Sequence, residues 1–174
     1  IIPESSGKVQ KNWLNQIIGG ASTVFAKEGA SIVGGHTSIG AEFSIGFSVL
    51  GKISNDPILI SGAKPGDRII LTKPIGSGTI LAGEMQLISK GLWVEEAFKW
   101  MMKSQGGAAK ALSKARAMTD VTGFGLAGHL LRLCRSSNVC AKIHISEIPF
   151  LKGAEELVRL GVRSSLYEDN LKAQ

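Results

Sequence analysis

The 174-residue chain has only two cysteines, Cys134 and Cys140, which are too few for a disulfide framework and do not make a zinc-binding pattern. It contains no apolar run of the roughly 18 residues that a membrane-spanning helix requires. It also has no dense block of Lys and Arg and no basic stretch interleaved with aromatic residues, which argues against direct binding to nucleic acid. We therefore expect no membrane or nucleic-acid partner, and we interpret both cysteines as buried thiols in a protein of the reducing cytoplasm.

The composition is that of a globular protein, with 44% apolar and 20% charged residues. The net charge of +6 fits an anionic partner such as a nucleotide, but the basic residues are scattered, which favours an ordinary solvated surface. The first residue is Ile1, and no basic and apolar leader precedes the first helical segment. We expect the chain to be part of something longer.

Apolar residues at helical spacing predict six helices. They are residues 8–28, a helix with the stripe Leu81, Met85 and Ile88 that Gly91 ends, residues 94–103, residues 107–117, a helix with the stripe Leu126, Leu130, Leu133 and Cys134, and residues 150–160 with Gly161 as C-cap. Gly19 and Gly20 cost the first helix about 1 kcal/mol each relative to Ala, which predicts close packing against a neighbour. From Val162 onward the chain is polar and unpatterned.

Four strands are predicted, at residues 31–34, 42–53, 68–73 and 141–146, and residues 57–61 resemble an edge segment. The second strand has the clearest alternation, with Phe43, Ile45, Phe47 and Val49 on one face that we expect to be buried. The early strands follow one another and helices dominate afterwards. This order favours the α+β class over a doubly wound fold.

The most informative segment is Thr-Asp-Val-Thr-Gly-Phe-Gly-Leu-Ala-Gly-His, residues 119–129. Asp120 precedes a glycine-rich turn that opens directly into a helix, so its carboxylate is well placed to hold a hard cation that bridges to phosphate. The alternative is that Asp120 merely caps the helix or the turn, as Asp often does. Spacing alone does not decide between the two.

A second glycine turn follows the predicted strand at residues 31–34. Gly34, Gly35, His36 and Thr37 offer successive backbone N–H groups and a hydroxyl, which can form a nest for an anion. The Lys-Ser/Thr ending of a Walker loop is absent, and an ordinary turn at a strand end is the alternative. Together the two turns predict phosphate donors on one side and a Mg²⁺ anchor on the other, an arrangement typical of phosphoryl transfer.

Three stretches of the chain resemble the selenophosphate synthetase family, also called selenide, water dikinases. They are Ala-Lys-Glu-Gly-Ala-Ser-Ile-Val-Gly-Gly-His-Thr (residues 26–37), Pro-Gly-Asp-Arg-Ile-Ile-Leu-Thr-Lys-Pro-Ile-Gly-Ser-Gly (65–78) and Met-Thr-Asp-Val-Thr-Gly-Phe-Gly-Leu-Ala-Gly-His (118–129). They occur in family order at family-like separations. The third stretch is the specific one, because relatives in the wider aminoimidazole ribonucleotide synthetase-like superfamily carry different residues there.

The resemblance implies an enzyme that converts ATP, selenide and water to selenophosphate, AMP and phosphate. It implies that Gly34, Gly35 and His36, with Thr37 by analogy, contribute to an ATP site shared across a homodimer, and that Asp120 is a Mg²⁺ ligand. The implied fold is a mixed, largely antiparallel sheet flanked by helices. Residues 1–30 then hold the last helix of a mostly absent N-terminal ATP-binding domain, and residues 31–174 form the C-terminal domain.

The family's reactive Cys or selenocysteine, its nearby Lys and its further metal-binding aspartates have no counterpart in this chain. We therefore expect no catalytic residue here and no selenide-dependent ATP consumption by the chain alone. Two alternatives stay open. The parent is a superfamily relative that acts through an ATP-made acyl phosphate, or the chain is a non-catalytic scaffold that supplies nucleotide contacts or dimer surface.

Overall fold

The structure, a computed structural model, describes residues 1–53 and 56–172. Its backbone contacts divide the chain into two compact units, residues 1–55 and 56–174. Within the described residues, no helix combines the length and the apolar character needed to cross a membrane. Each unit is organised differently and is described by itself.

The first unit is built on one long helix, α1 (Gly7–Lys27), which confirms the predicted helix to within one residue at each end. A two-stranded parallel sheet pairs β1 (Ile2–Pro3) with β2 (Ile39–Gly40), and the register places Ile2 opposite Ile39. No residue of α1 is fully buried. The helix therefore lacks the closed apolar interface that stabilises most helices in globular proteins.

The prediction of close packing at Gly19 and Gly20 is wrong. A Cβ atom built at either glycine meets no other atom within 4 Å. The apolar contacts of α1 instead run through its two large aromatic residues. Trp13 and Phe25 meet Phe43 and Phe47 edge-to-face, with ring centroids 5.0 and 5.3 Å apart. This T-shaped geometry is a favourable arrangement for aromatic pairs.

The strands predicted at residues 31–34 and 42–53 do not form in the described part of this unit. The alternating side chains Phe43, Ile45, Phe47 and Val49 are 47–77% exposed, so the expected buried face is also wrong. Ser44 and Ile1 exchange two backbone hydrogen bonds, of 2.8 and 3.1 Å. Alternation specifies which side chains share a face, but a strand also needs a neighbouring backbone to pair with.

The second unit is helical and has a definite core. Its elements are α2 (Ser77–Met85), α3 (Gly91–Met102), α4 (Gly106–Ala111), α5 (Gly125–Ser137), a single 3₁₀ turn (Ile145–Glu147), α6 (Ala154–Arg159) and α7 (Tyr167–Lys172). Helix α2 packs against α3 and α6. The core residues are Ile80, Ala82, Trp93, Ala97, Leu151, Ala154, Leu157 and Val162.

Helix α2 differs from its prediction in both its buried face and its end. Ile80, Ala82 and Gly83 are buried, whereas Met85, from the predicted stripe, is 73% exposed. The helix ends at Met85 because Leu87 takes a left-handed φ of 60°, which breaks the helical path. Gly91 does not end α2 but is the first residue of α3, so the predicted stop at this glycine is wrong.

The later helices follow the sequence more closely. In α5, Leu130 and Cys134 of the predicted stripe are buried. Gly161 takes a φ of 89° and its N–H donates to the Val158 carbonyl, which confirms it as the glycine that closes α6. The predictions for residues 107–117 and 150–160 are too long by several residues, since α4 and α6 have six residues each.

The strands predicted at residues 68–73 and 141–146 are not formed, and His144 is exposed. The tail is also not unpatterned, because Val162 belongs to the core and α7 follows it. Outside β1 and β2, the described residues contain one isolated parallel bridge, between Ile75 and Phe150. The molecule is thus a helix-rich α+β protein, and the largely antiparallel sheet stays a prediction.

Candidate functional site

The glycine turn at residues 34–37 lies in the first unit, in the irregular segment between α1 and β2. Gly34, Gly35, His36 and Thr37 are all exposed. A Cβ atom at either glycine meets nothing within 4 Å, so neither glycine is needed to avoid a clash within this chain. Open space around a Gly-Gly pair is what a ligand requires to approach the backbone closely.

The backbone N–H groups of this turn donate no hydrogen bond to any residue in the described part of the first unit. Four consecutive donors are therefore left for water or for an anion. The strand predicted before the turn does not form, so the alternative of an ordinary turn at a strand end is wrong. The anion nest itself stays a prediction.

Asp120 lies in the second unit, in the loop between α4 and α5. Its side chain is 75% exposed. The N-cap of α5 is Phe124, and no side chain makes a capping hydrogen bond there. The alternative in which Asp120 caps this helix is therefore wrong, because four residues lie between it and the first helical position at Gly125. The carboxylate is accessible to an external cation.

The turn between Asp120 and α5 is held by the protein around it. The Gly125 N–H donates to the Thr122 carbonyl at 2.9 Å, and Gly125 has a left-handed φ of 69° that favours glycine. Asn170 Nδ2 donates to the Gly123 carbonyl at 2.8 Å. A Cβ atom at Gly123 would lie 2.6 Å from Leu166 Cδ1. Gly123 thus makes room for the side chain of Leu166.

His129, on the first turns of α5, is buried beneath this loop with 7% of its surface exposed. The Thr122 N–H donates to His129 Nε2 at 3.2 Å, and the Thr122 hydroxyl lies 3.2 Å from the same nitrogen. His129 Nδ1 is 3.7 Å from Asp120 Oδ1. The ring also lies 5.8 Å from the Phe124 ring, measured between centroids.

Sequence reasoning missed the contacts of His129, Leu166 and Asn170. A signal for His129 was present, because it stands three residues after Leu126 and one before Leu130, on the buried side of α5. Leu166 and Asn170 gave no comparable signal, because their contacts with Gly123 bridge more than 40 residues of sequence.

The donor chemistry at Asp120 fits Mg²⁺ in one particular way. Within the described residues, no group of three or more His, Cys, Asp or Glu side chains is arranged to hold a metal ion. A closed protein cage is therefore not present in this part of the chain. Mg²⁺ is usually bound through one or two carboxylates together with substrate phosphates and water, and a single exposed carboxylate fits that arrangement.

The amino-acid sequence around Asp120 matches a known protein family. Residues 64–165, more than half of the chain, match the family described as AIR synthase related protein, C-terminal domain. This range includes Asp120 and His129 but ends before Leu166 and Asn170.

Similar proteins in the curated collection are selenide, water dikinases. The chain is 40% identical over 153 residues to the selenide, water dikinase of Geobacter metallireducens, covering 86% of this chain and 44% of that protein. It is 38% identical over 152 residues to selenide, water dikinase 2 of Peptoclostridium acidaminophilum, with the same two coverages. For the enzyme of Nitratidesulfovibrio vulgaris the identity is 37% over 162 residues, covering 89% of this chain and 45% of that protein.

The chain spans somewhat less than half the length of these relatives. The family match covers most of the second unit, including the loop that presents Asp120 and the helix that carries His129. The chain therefore belongs to the family of AIR synthase related proteins, matching their C-terminal domain.

Proposed function

We propose that the chain is the C-terminal portion of a selenide, water dikinase, which converts ATP, selenide and water to selenophosphate, AMP and phosphate. Its own contribution is to bind the phosphates of ATP and the Mg²⁺ ion that accompanies them. The support is the sequence identity of 37–40% to three selenide, water dikinases over 86–89% of the chain. The segment that presents Asp120 also matches the stretch most specific to that family.

The observation that carries the proposal is the exposed carboxylate of Asp120 on a loop that the protein holds in place. Its side chain is 75% exposed, while the adjacent turn is tied down by His129 and Asn170. A lone surface carboxylate with no structural role needs no such support. A carboxylate that binds a cation benefits from it, since a metal ligand must be oriented before the ion arrives.

The glycine turn supplies the second half of the proposal. Gly34, Gly35, His36 and Thr37 bind the ATP phosphates through backbone N–H groups that other residues of the described first unit leave unused. Such main-chain donors carry partial positive charge and suit an anion without needing a lysine. Asp120 supplies the carboxylate for the Mg²⁺ ion, which proteins usually bind together with substrate phosphates.

Isothermal titration calorimetry of Mg·ATP with the purified chain tests whether Asp120 contributes to Mg²⁺ binding. We expect Asp120→Asn to weaken binding about tenfold, equivalent to ~1.4 kcal/mol. Asp169→Asn is the matched control, because its side chain is also 75% exposed and its partner Lys172 is a surface residue. Equal affinities for the wild type and the Asp120→Asn variant would refute the Mg²⁺ role and favour the scaffold interpretation.

Amide spectra of the chain test the phosphate half separately. On addition of ATP without Mg²⁺, the amide resonances of residues 34–37 should shift, while the amide resonance of the exposed Gly91 should not.

In the intact protein that contains this chain, selenide-dependent AMP release should fall at least about tenfold in the Asp120→Asn variant. ATP consumption independent of selenide would instead indicate the acyl-phosphate relative.

The proposed parent is a homodimer with a mixed, largely antiparallel sheet. Exposed apolar side chains at Phe43, Ile45, Phe47 and Val49 support this, because an alternating apolar segment is suited to strand pairing. We propose that residues 42–53 pair with another strand in the assembled enzyme. Cross-linking or light scattering of the intact protein checks the dimer.

The remaining assignments follow from the same proposal. Residues 1–30, which include helix α1, hold the last helix of the parent's N-terminal ATP-binding domain, and residues 31–174 form its C-terminal domain. The protein acts in the cytoplasm, without a membrane or direct nucleic-acid partner. Cys134 and Cys140 support a reducing compartment, since both are free thiols. Cys134 is buried as expected, but Cys140 is exposed, so the prediction that both are buried is wrong for Cys140.

A further inference from the structure

Within residues 1–53 and 56–172, His129 is the one polar residue that is buried. A buried imidazole usually has both ring nitrogens engaged, because an unpaired polar atom is costly away from water. Here one nitrogen faces Thr122 and the other faces Asp120. The ring therefore connects the backbone of the loop with the carboxylate that the loop presents.

The hydrogen bond from Thr122 determines which nitrogen carries the proton. A backbone N–H can only donate, so His129 Nε2, at 3.2 Å, must accept. The proton of the neutral imidazole then resides on Nδ1. That N–H faces Asp120 Oδ1 at a heavy-atom distance of 3.7 Å, slightly beyond hydrogen-bond range. At this distance the N–H and the carboxylate still attract each other electrostatically, although they form no direct hydrogen bond.

From this geometry we propose that His129 is a positioning residue for Asp120. Its Nδ1–H orients Oδ1 and leaves Oδ2 directed outward for the cation, while Nε2 holds the loop through the Thr122 N–H. The inference rests on the proposed function, because it assumes that Asp120 binds Mg²⁺. Substitution of a residue that orients a metal ligand typically lowers the affinity for the metal about 10–100-fold.

Two conservative substitutions distinguish the roles of the two ring nitrogens of His129. In His129→Gln, the side-chain Oε1 can still accept from the Thr122 N–H, but no donor remains at the Nδ1 position that faces Asp120. In His129→Asn, the amide keeps a donor near the Nδ1 position but is too short to reach Thr122. A purely structural role depends on the Thr122 bond, whereas the positioning role depends on the Asp120 contact.

The test measures Mn²⁺ binding to the purified chain in the presence of ATP, using the electron paramagnetic resonance signal of free Mn²⁺, and the thermal midpoint of each variant. We expect His129→Gln to weaken Mn²⁺ binding about tenfold with little change in the midpoint. His129→Asn should lower the midpoint more but keep Mn²⁺ affinity within about threefold of the wild type. His144→Gln is the control, since His144 is exposed and distant in sequence from this loop.

The outcomes distinguish this inference from the proposed function. If Asp120→Asn binds Mn²⁺ as tightly as the wild type, both are overturned. If Asp120→Asn weakens binding but His129→Gln does not, or if His129→Gln and His129→Asn weaken it equally, only the positioning role is overturned. Long-range ¹H–¹⁵N spectra of the wild-type chain add a readout that needs no variant. A proton on Nε2 of His129 rather than on Nδ1 overturns the inference directly.

Discussion

The Asp120 loop and the glycine turn at residues 34–37 differ in the number of side chains that contact them. The Asp120 loop is tied down by three side chains, His129, Leu166 and Asn170, that come from α5 and from the C-terminal segment. The turn at residues 34–37 has no such contacts within the described part of its unit and is exposed throughout. One turn is preorganised by its own unit, whereas the other presents open backbone donors.

The same contrast holds for the units that carry the turns. The second unit has a core of eight buried apolar residues between α2, α3 and α6. The first unit is dominated by a helix in which no residue is buried. Apolar burial is the main favourable term in folding, so the second unit has the stronger basis for independent stability. Three sets of substitutions probe this difference, from the largest expected effect to the smallest.

Leu157→Ala should produce the largest loss of stability. Leu157 is fully buried in the second unit, and a Leu→Ala change in a core costs about 2–5 kcal/mol through lost burial and the cavity left behind. Urea denaturation followed by circular dichroism measures the change. The control is Val158→Ala on the same helix, which is 47% exposed and should stay within about 0.5 kcal/mol. Similar losses for the two variants would mean that α6 is not anchored through Leu157.

Gly123→Ala should be moderately destabilising, by about 1–2 kcal/mol, because its Cβ would lie 2.6 Å from Leu166 Cδ1 and the leucine can move only in part. Gly35→Ala, in the open turn of the first unit, should stay within about 0.5 kcal/mol. Thermal denaturation of both variants checks the contrast. Adding Leu166→Ala to the Gly123→Ala protein should relieve part of the clash, and no relief would show that Leu166 is not the obstacle.

Gly19→Ala and Gly20→Ala should each stabilise α1 by about 0.5–1 kcal/mol, the smallest of the three effects. Alanine loses less backbone entropy than glycine in a helix, and the structure leaves open space for a methyl group at both positions. Helical ellipticity and the thermal midpoint are the measurements. A loss of stability would mean that these glycines pack closely after all, as the sequence alone had predicted.

How far the sequence predicts the fold depends on the kind of element. The 21-residue α1 and the 13-residue α5 are confirmed, because apolar spacing over several turns leaves little ambiguity. Helix α2 is nine residues long, and its true buried face, with Ile80, Ala82 and Gly83, differs from the predicted stripe. In so short a helix, packing against α3 and α6 decides which face is covered.

The strands illustrate the opposite case. Residues 42–53 alternate in polarity, yet the only strands among the described residues are the two-residue β1 and β2. An isolated extended segment has no hydrogen bonds of its own, so its pattern becomes a strand only beside another backbone. That partner is a property of the assembled tertiary or quaternary structure, which local sequence does not contain.

For the candidate site, the sequence alone determined the chemistry: a carboxylate at Asp120 before a glycine-rich helix start, and donors at residues 34–37. The tertiary structure decided what surrounds Asp120. His129 lies under the loop, Asn170 binds it from 47 residues away, and Leu166 occupies the space beside Gly123. Residue types and spacing specify which atoms can bind an ion, because those are local properties. Orientation depends on contacts between distant segments, which exist only after the chain has folded.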